Sequence, residues 1–140
     1  MKRILCTILA IILVMTELGI AAADEVEKGG YRYDYTNFVI ADLGISGTTA
    51  SCYGGGRGVY SYTTTHIQVT LTRKTSSQTT WTPIASWTAS ASGTTFALVE
   101  QTHSVVSGYS YRVVVRCQIK NSDGQVLETA YRYSTICNVP

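Results

Sequence analysis

The sequence predicts an all-β fold, a sandwich of about seven antiparallel strands, and three observations carry that expectation. Past residue 23 the chain is rich in Thr, Ser, Tyr and Val, side chains that suit a pleated, half-buried surface. Short segments alternate apolar and polar residues with a period of two. Turn signals built on Gly, Ser, Asn and Asp separate those segments at short intervals, and no stretch after the leader shows helical periodicity. A small β-barrel is the alternative closure for the same strands.

The first 23 residues read as a secretory signal peptide. Lys2 and Arg3 form a positive start, Ile4 to Met15 is an apolar run, and Thr16-Glu17 break it before Ala21-Ala22-Ala23. Cleavage is expected after Ala23, with Ala21 as a second position. A spanning helix needs about 20 apolar residues, more than this run supplies. Cys6 lies at the start of the run rather than its end, which argues against a lipid-anchored cysteine. The expected location is therefore secreted, with no membrane association after cleavage.

Removing 23 of 140 residues leaves 117, enough for one domain. Residues 24–35 read as a flexible N-terminal arm and 36–140 as the sandwich. Nine basic and eight acidic side chains remain, so charge gives no case for nucleic acid. Arg112, Arg116, Lys120 and Arg132 can form a basic strip, read here as a solvated sheet face.

Along the chain, Thr36 to Ile45 carries Phe38, Ile40, Leu43 and Ile45, an alternation that slips near Asp42 and predicts a bulge. Thr48 to Tyr53 places Ala50 and Cys52 on one face, and Gly54 to Gly58 is expected to interrupt or end that strand. His66 to Arg73 points Ile67, Val69 and Leu71 inward. Trp81 to Trp87 reads as an edge strand or a bulged one because of Pro83, and Thr95 to Val99 offers Phe96 and Leu98. Tyr109 to Lys120 is the clearest strand, with Tyr109, Tyr111, Val113, Val115, Cys117 and Ile119 on its buried face. Asn121-Ser122-Asp123-Gly124 is a hairpin turn, and Val126 to Thr135 returns. The order suggests an immunoglobulin-like arrangement.

Three cysteines follow the leader: Cys52, Cys117 and Cys137. In an immunoglobulin-like sandwich the strands of Cys52 and Cys117 face each other, which makes Cys52–Cys117 the preferred disulfide, with Cys52–Cys137 and no bond at all as the alternatives. Cys117–Cys137 is excluded, because the hairpin would set Cys137 near Gly108, about nine residues from Cys117.

The segments THIQVTLTRK, TTWTPIASWTASASGTT and SGYSYRVVVRCQIKNSDGQVLETAYRYST resemble a family of small secreted Gram-positive (Firmicutes) bacterial proteins of unknown function. The likeness covers most of residues 36–136. It implies an exported β-sandwich and transfers no catalytic residue.

No catalytic, metal or cofactor constellation emerges. His66 and His103 are the only histidines, too few for a His-rich zinc site. His66 is expected on an outward strand face and His103 in a loop. Asp42 and Glu100 could be drawn as a glycosidase pair, but any small protein contains such pairs. The Gly54–Gly58 cluster lacks the Lys-Ser/Thr of a phosphate-binding loop. The suggestive feature is aromatic: Tyr31, Tyr33 and Tyr35 alternate in the arm, and Tyr60 and Tyr62 follow the glycines. Tyrosine joins a large contact area to a polar tip, which suits binding surfaces. The sequence thus points to a non-enzymatic secreted module that binds cell-wall glycan or another extracellular protein. The alternative is a bacteriocin-like antagonistic protein.

Overall fold

The computed structural model describes residues 3–5, by backbone, and 33–140. The predicted signal peptide lies otherwise outside the described residues, as does the predicted arm up to residue 32. Nine strands run in chain order: β1 Arg3–Leu5, β2 Thr36–Ser46, β3 Thr49–Gly58, β4 Thr64–Lys74, β5 Thr82–Ser92, β6 Ala97–Ser104, β7 Tyr109–Lys120, β8 Val126–Tyr133 and β9 Cys137–Val139. One sheet has the order β1-β2-β3-β6. The other is β5-β4-β7-β8, with β9 also on β7, and every pairing is antiparallel.

With β1 and β9 set aside, seven strands form an immunoglobulin-type sandwich of three strands against four. The chain changes sheet between β3 and β4, between β5 and β6, and again between β6 and β7. The last crossing is pinned by Tyr111. Its buried hydroxyl accepts from the Val106 N–H at 2.9 Å and donates to the Val106 carbonyl at 3.2 Å. This is the tyrosine corner of such folds.

The core takes alternate residues from both sheets: Val39, Ala41, Leu43 and Ile45 from β2, Ile67, Val69 and Leu71 from β4, and Val113, Val115, Cys117 and Ile119 from β7. The β4 and β7 assignments match the sequence expectation, but β2 does not. Its alternation runs unbroken through Asp42, its one irregularity falls between Thr36 and Phe38, and Phe38 and Ile40 point outward. Phe96 and Leu98 also face outward, with Ala97 and Val99 in the core. Size misled the sequence reading, because the smaller neighbours sit inside.

The reason is in β3. Gly54, Gly55 and Gly56 continue the strand rather than end it. A Cβ on Gly54 would clash with Val69 and lie 2.6 Å from Val115 Cγ2, and one on Gly56 would lie 2.9 Å from Cys117 Sγ. On the opposite face Phe96 lies directly over Gly55, 5.9 Å from the ring of Phe38. Glycine is therefore required for close approach of the sheets, not for flexibility.

The same contacts correct the cysteine pairing. Cys52 and Cys117 lie on facing strands, β3 and β7, yet both are buried free thiols. Cys117 sits over Gly56, four residues or about 13 Å along β3 from Cys52, and a disulfide needs Cα atoms within about 7 Å. Cys137 pairs with neither of them. Its Sγ lies 3.7 Å from the carbonyl of Leu43, and β9 sets it opposite Tyr111, six residues from Cys117.

The glycines and thiols give two predictions. Gly54→Ala should lower unfolding free energy by about 1–2 kcal/mol, as overpacking outweighs the gain from removing a strand glycine. Gly44→Ala, whose Cβ meets nothing within 4 Å, should raise it by about 0.5 kcal/mol in the same denaturant titration. Burial pushes both thiols up to about 12, Cys117 helped by the Glu128 carboxylate. A thiol whose folded value lies above its unfolded one favours the fold below pH about 9, and that contribution disappears as pH rises to about 12. Native protein at pH 8 should leave both unlabelled by a thiol reagent that labels them fully in denaturant.

Candidate functional site

One end of the sandwich gathers three of the five singled-out tyrosines. The loop from Val59 to Thr63 joins β3 to β4 and makes a tight turn, in which both the N–H and the hydroxyl of buried Thr63 donate to the Tyr60 carbonyl. Two outside contacts brace it. The Val59 N–H donates to the Tyr35 carbonyl at 2.9 Å, and the Gly93 N–H to the Thr63 carbonyl at 2.7 Å. Gly93 has φ +64°, and a Cβ there would meet the Ser61 backbone, so two turns interlock at this end.

On that support the rings of Tyr60 and Tyr62 stack at 5.2 Å and 18°, and Tyr35 meets Tyr60 edge-on at 5.7 Å. Tyr62 is 62 % exposed and Tyr60 40 % exposed, so the stack presents aromatic faces to solvent. Tyr33 goes elsewhere, into a small crevice with Phe38, Tyr131 and Arg132. Tyr31 lies outside the described residues.

Tyr35 is placed by a residue the sequence reading passed over. The Glu128 carboxylate, from β8, accepts the N–H groups of Asp34, Tyr35 and Thr36 at 2.9, 3.1 and 2.6 Å, and the Thr36 hydroxyl at 2.6 Å. Several donors converging on one carboxylate form a charge-assisted clamp, and the end of the arm at 34–36 is accordingly fixed. No sequence signal marks it, because Glu128 is more than 90 residues away along the chain.

The other candidates separate. Asp42 and Glu100 flank Tyr53 in one cross-strand row, about two strand spacings apart, and line a shallow groove of about 380 Å³. Glu100 is exposed and Asp42 directs one oxygen to the Leu43 N–H. His66 does lie outward, 2.7 Å from the Ser90 hydroxyl. His103 belongs to β6 rather than a loop and lies edge-on to Trp87. Among the described residues no three His, Cys, Asp or Glu side chains gather where they could hold a metal ion.

The basic strip is divided. Arg116 and Lys120 lie on the outer face of the four-stranded sheet. Arg112 is buried there between the rings of Trp81 and Tyr133, at 4.3 and 4.8 Å. Arg132 turns to the other sheet, where its Nε donates to the Val39 carbonyl.

Replacing Glu128 with Ala should free the arm, so that amide exchange at Tyr35 and Thr36 accelerates tenfold or more, while Glu128→Gln accelerates it less. Unchanged exchange in both variants would show that the clamp does not hold the arm. No protein-family model, curated protein or solved structure matches the chain.

Proposed function

We propose that this chain is an exported, non-enzymatic binding module whose tyrosine platform takes a cell-wall glycan. The observation that carries the reading is the exposed Tyr60–Tyr62 stack on a braced turn, with Tyr35 packed against its side. Aromatic faces give a sugar ring apolar contact, and the phenol hydroxyls serve its own hydroxyl groups. Bracing matters energetically, since side chains already ordered before binding lose less freedom on it. The leader supports export, and the platform carries no charge of its own to demand a charged partner.

The test is retention of the secreted domain on purified peptidoglycan and cell-wall polysaccharide, beside an unrelated sandwich domain. The module should be retained more strongly than the control, and the double substitution Tyr60→Ala with Tyr62→Ala should weaken retention about tenfold with the melting temperature preserved, taking roughly 1.4 kcal/mol for the lost ring contacts. Retention equal to the control would remove the glycan reading, and a protein partner recovered through the same two tyrosines would replace it.

A further inference from the structure

The outer face of the four-stranded sheet carries a second concave feature, away from the tyrosines. Gln68 of β4, Arg116 of β7 and Tyr131 of β8 are register partners and share one row across the sheet. Together with Thr70, Val114 and Pro83 they line a groove of about 220 Å³. That is below the 300–1,000 Å³ of drug-sized pockets, so the groove suits one monosaccharide unit.

Arg116 is the informative member. Its Nε is buried and has no hydrogen-bond partner. Thr65 Oγ1 and Trp81 Nε1 are likewise buried without a partner, but neither lines the groove as Arg116 does, where an acceptor on a bound molecule would answer the open donor. The fork of an arginine matches an oxyanion bidentately.

The electrostatic setting agrees. Lys120 lies four residues further along β7 on the same face, and His66 lies between them on β4, opposite Gln118. Partial burial first, and then the positive charges of Lys120 and Arg116, hold the His66 imidazole below its ordinary value. No carboxylate among the described residues shares this face. Asp42 and Glu100 belong to the other sheet, Asp34 to the arm, Asp123 to the hairpin turn, and Glu128 to the arm clamp.

We propose that this groove binds a saccharide bearing an oxyanion, the carboxylate of a sugar acid or the phosphate of a sugar phosphate. Arg116 takes the charge, Tyr131 and Val114 form the wall against the ring, and Gln68 and Thr70 meet its hydroxyls. The site is independent of the tyrosine platform, and either can fail without the other.

Amide chemical shifts of the whole secreted domain, titrated with N-acetylmuramic acid, glucose 6-phosphate, neutral N-acetylglucosamine and inorganic phosphate, decide the matter. At least one anionic sugar should move the signals of Gln68, Arg116 and Tyr131 and bind tenfold or more tightly than the neutral sugar. Which of the two binds identifies the source of the oxyanion. Arg116→Gln should weaken that binding at least tenfold, Arg116→Lys less, and the Tyr60/Tyr62 double variant should leave it unchanged. Should Arg116→Gln fail to fold, Gln68→Ala with a weakened but still charge-selective response serves instead. No response in this row, or equal binding of the neutral sugar, overturns the proposal. Inorganic phosphate binding as tightly as glucose 6-phosphate overturns the saccharide part of it.

Discussion

The two sheets close on each other because β3 carries no side chain where β4 and β7 press against it. Val69 and Val115 occupy the space above Gly54, Cys117 that above Gly56, and Phe96 covers Gly55 from outside. The central strand of the smaller sheet is thus reduced to backbone, and the facing valines and the cysteine fill the volume. Interiors pack near crystal density, so a methyl group added at Gly54 has nowhere to go without moving Val69 or Val115. The same trio sets the register between sheets. Once Cys117 lies over Gly56, Cys52 is out of reach, and the strand pair that carries a disulfide in immunoglobulin domains is joined here by packing alone.

A domain so closed leaves function to its surfaces, and these differ sharply. The outer face of β2, β3 and β6 holds Asp42, Tyr53 and Glu100 beside the apolar patch of Phe38, Phe96 and Leu98. The outer face of the other sheet is basic, with Arg116 and Lys120 among Thr, Ser and Gln side chains. The tyrosine end belongs to neither face. Its rings rest on two interlocked turns, and those turns are held where β2, β3, β4 and β5 begin or end, so the platform inherits the rigidity of both sheets. A near-neutral net charge therefore conceals two faces of different chemistry, which explains why charge counting offered no partner.

What could be read from the sequence follows from where the information lies. The strict alternation of β4 and β7 and the Asp-Gly hairpin are local signals, and the structure reproduces them, with Gly124 at φ +81°. Pro83 correctly marked an edge strand, since β5 ends its sheet and the ladder shifts opposite that residue. The failures were all non-local. Phe38 outranks Val39 in hydrophobicity, but the inward face of β2 is chosen by the partner sheet. A glycine run reads as a break unless one knows which side chains lie across from it. Cys52 and Cys117 were assigned to facing strands correctly, but a sequence contains no inter-sheet register. Of the site, Tyr35, Tyr60 and Tyr62 were legible as candidate binding aromatics, and Glu128 and the Gln68–Arg116–Tyr131 row were not, because each depends on strands brought together by the fold.

The exposed edge of β2 links the leader to the rest of this architecture. β1 covers only Gly44 to Ser46, and if the leader is removed as the sequence predicts, that cover goes with it. Towards its start β2 is already closed by side chains from β8: Glu128 holds the backbone of residues 34–36, and Arg132 caps the Val39 carbonyl. Further along, Cys137 of β9 lies against the Leu43 carbonyl. The stretch that β1 pairs is three residues long and ends at the Gly47 turn. Strands in stable sheets usually run five or six residues, so three offer too short a ladder for another chain to join firmly. The clamp that positions Tyr35 thus also covers part of an edge, and one carboxylate serves both the proposed binding surface and that edge.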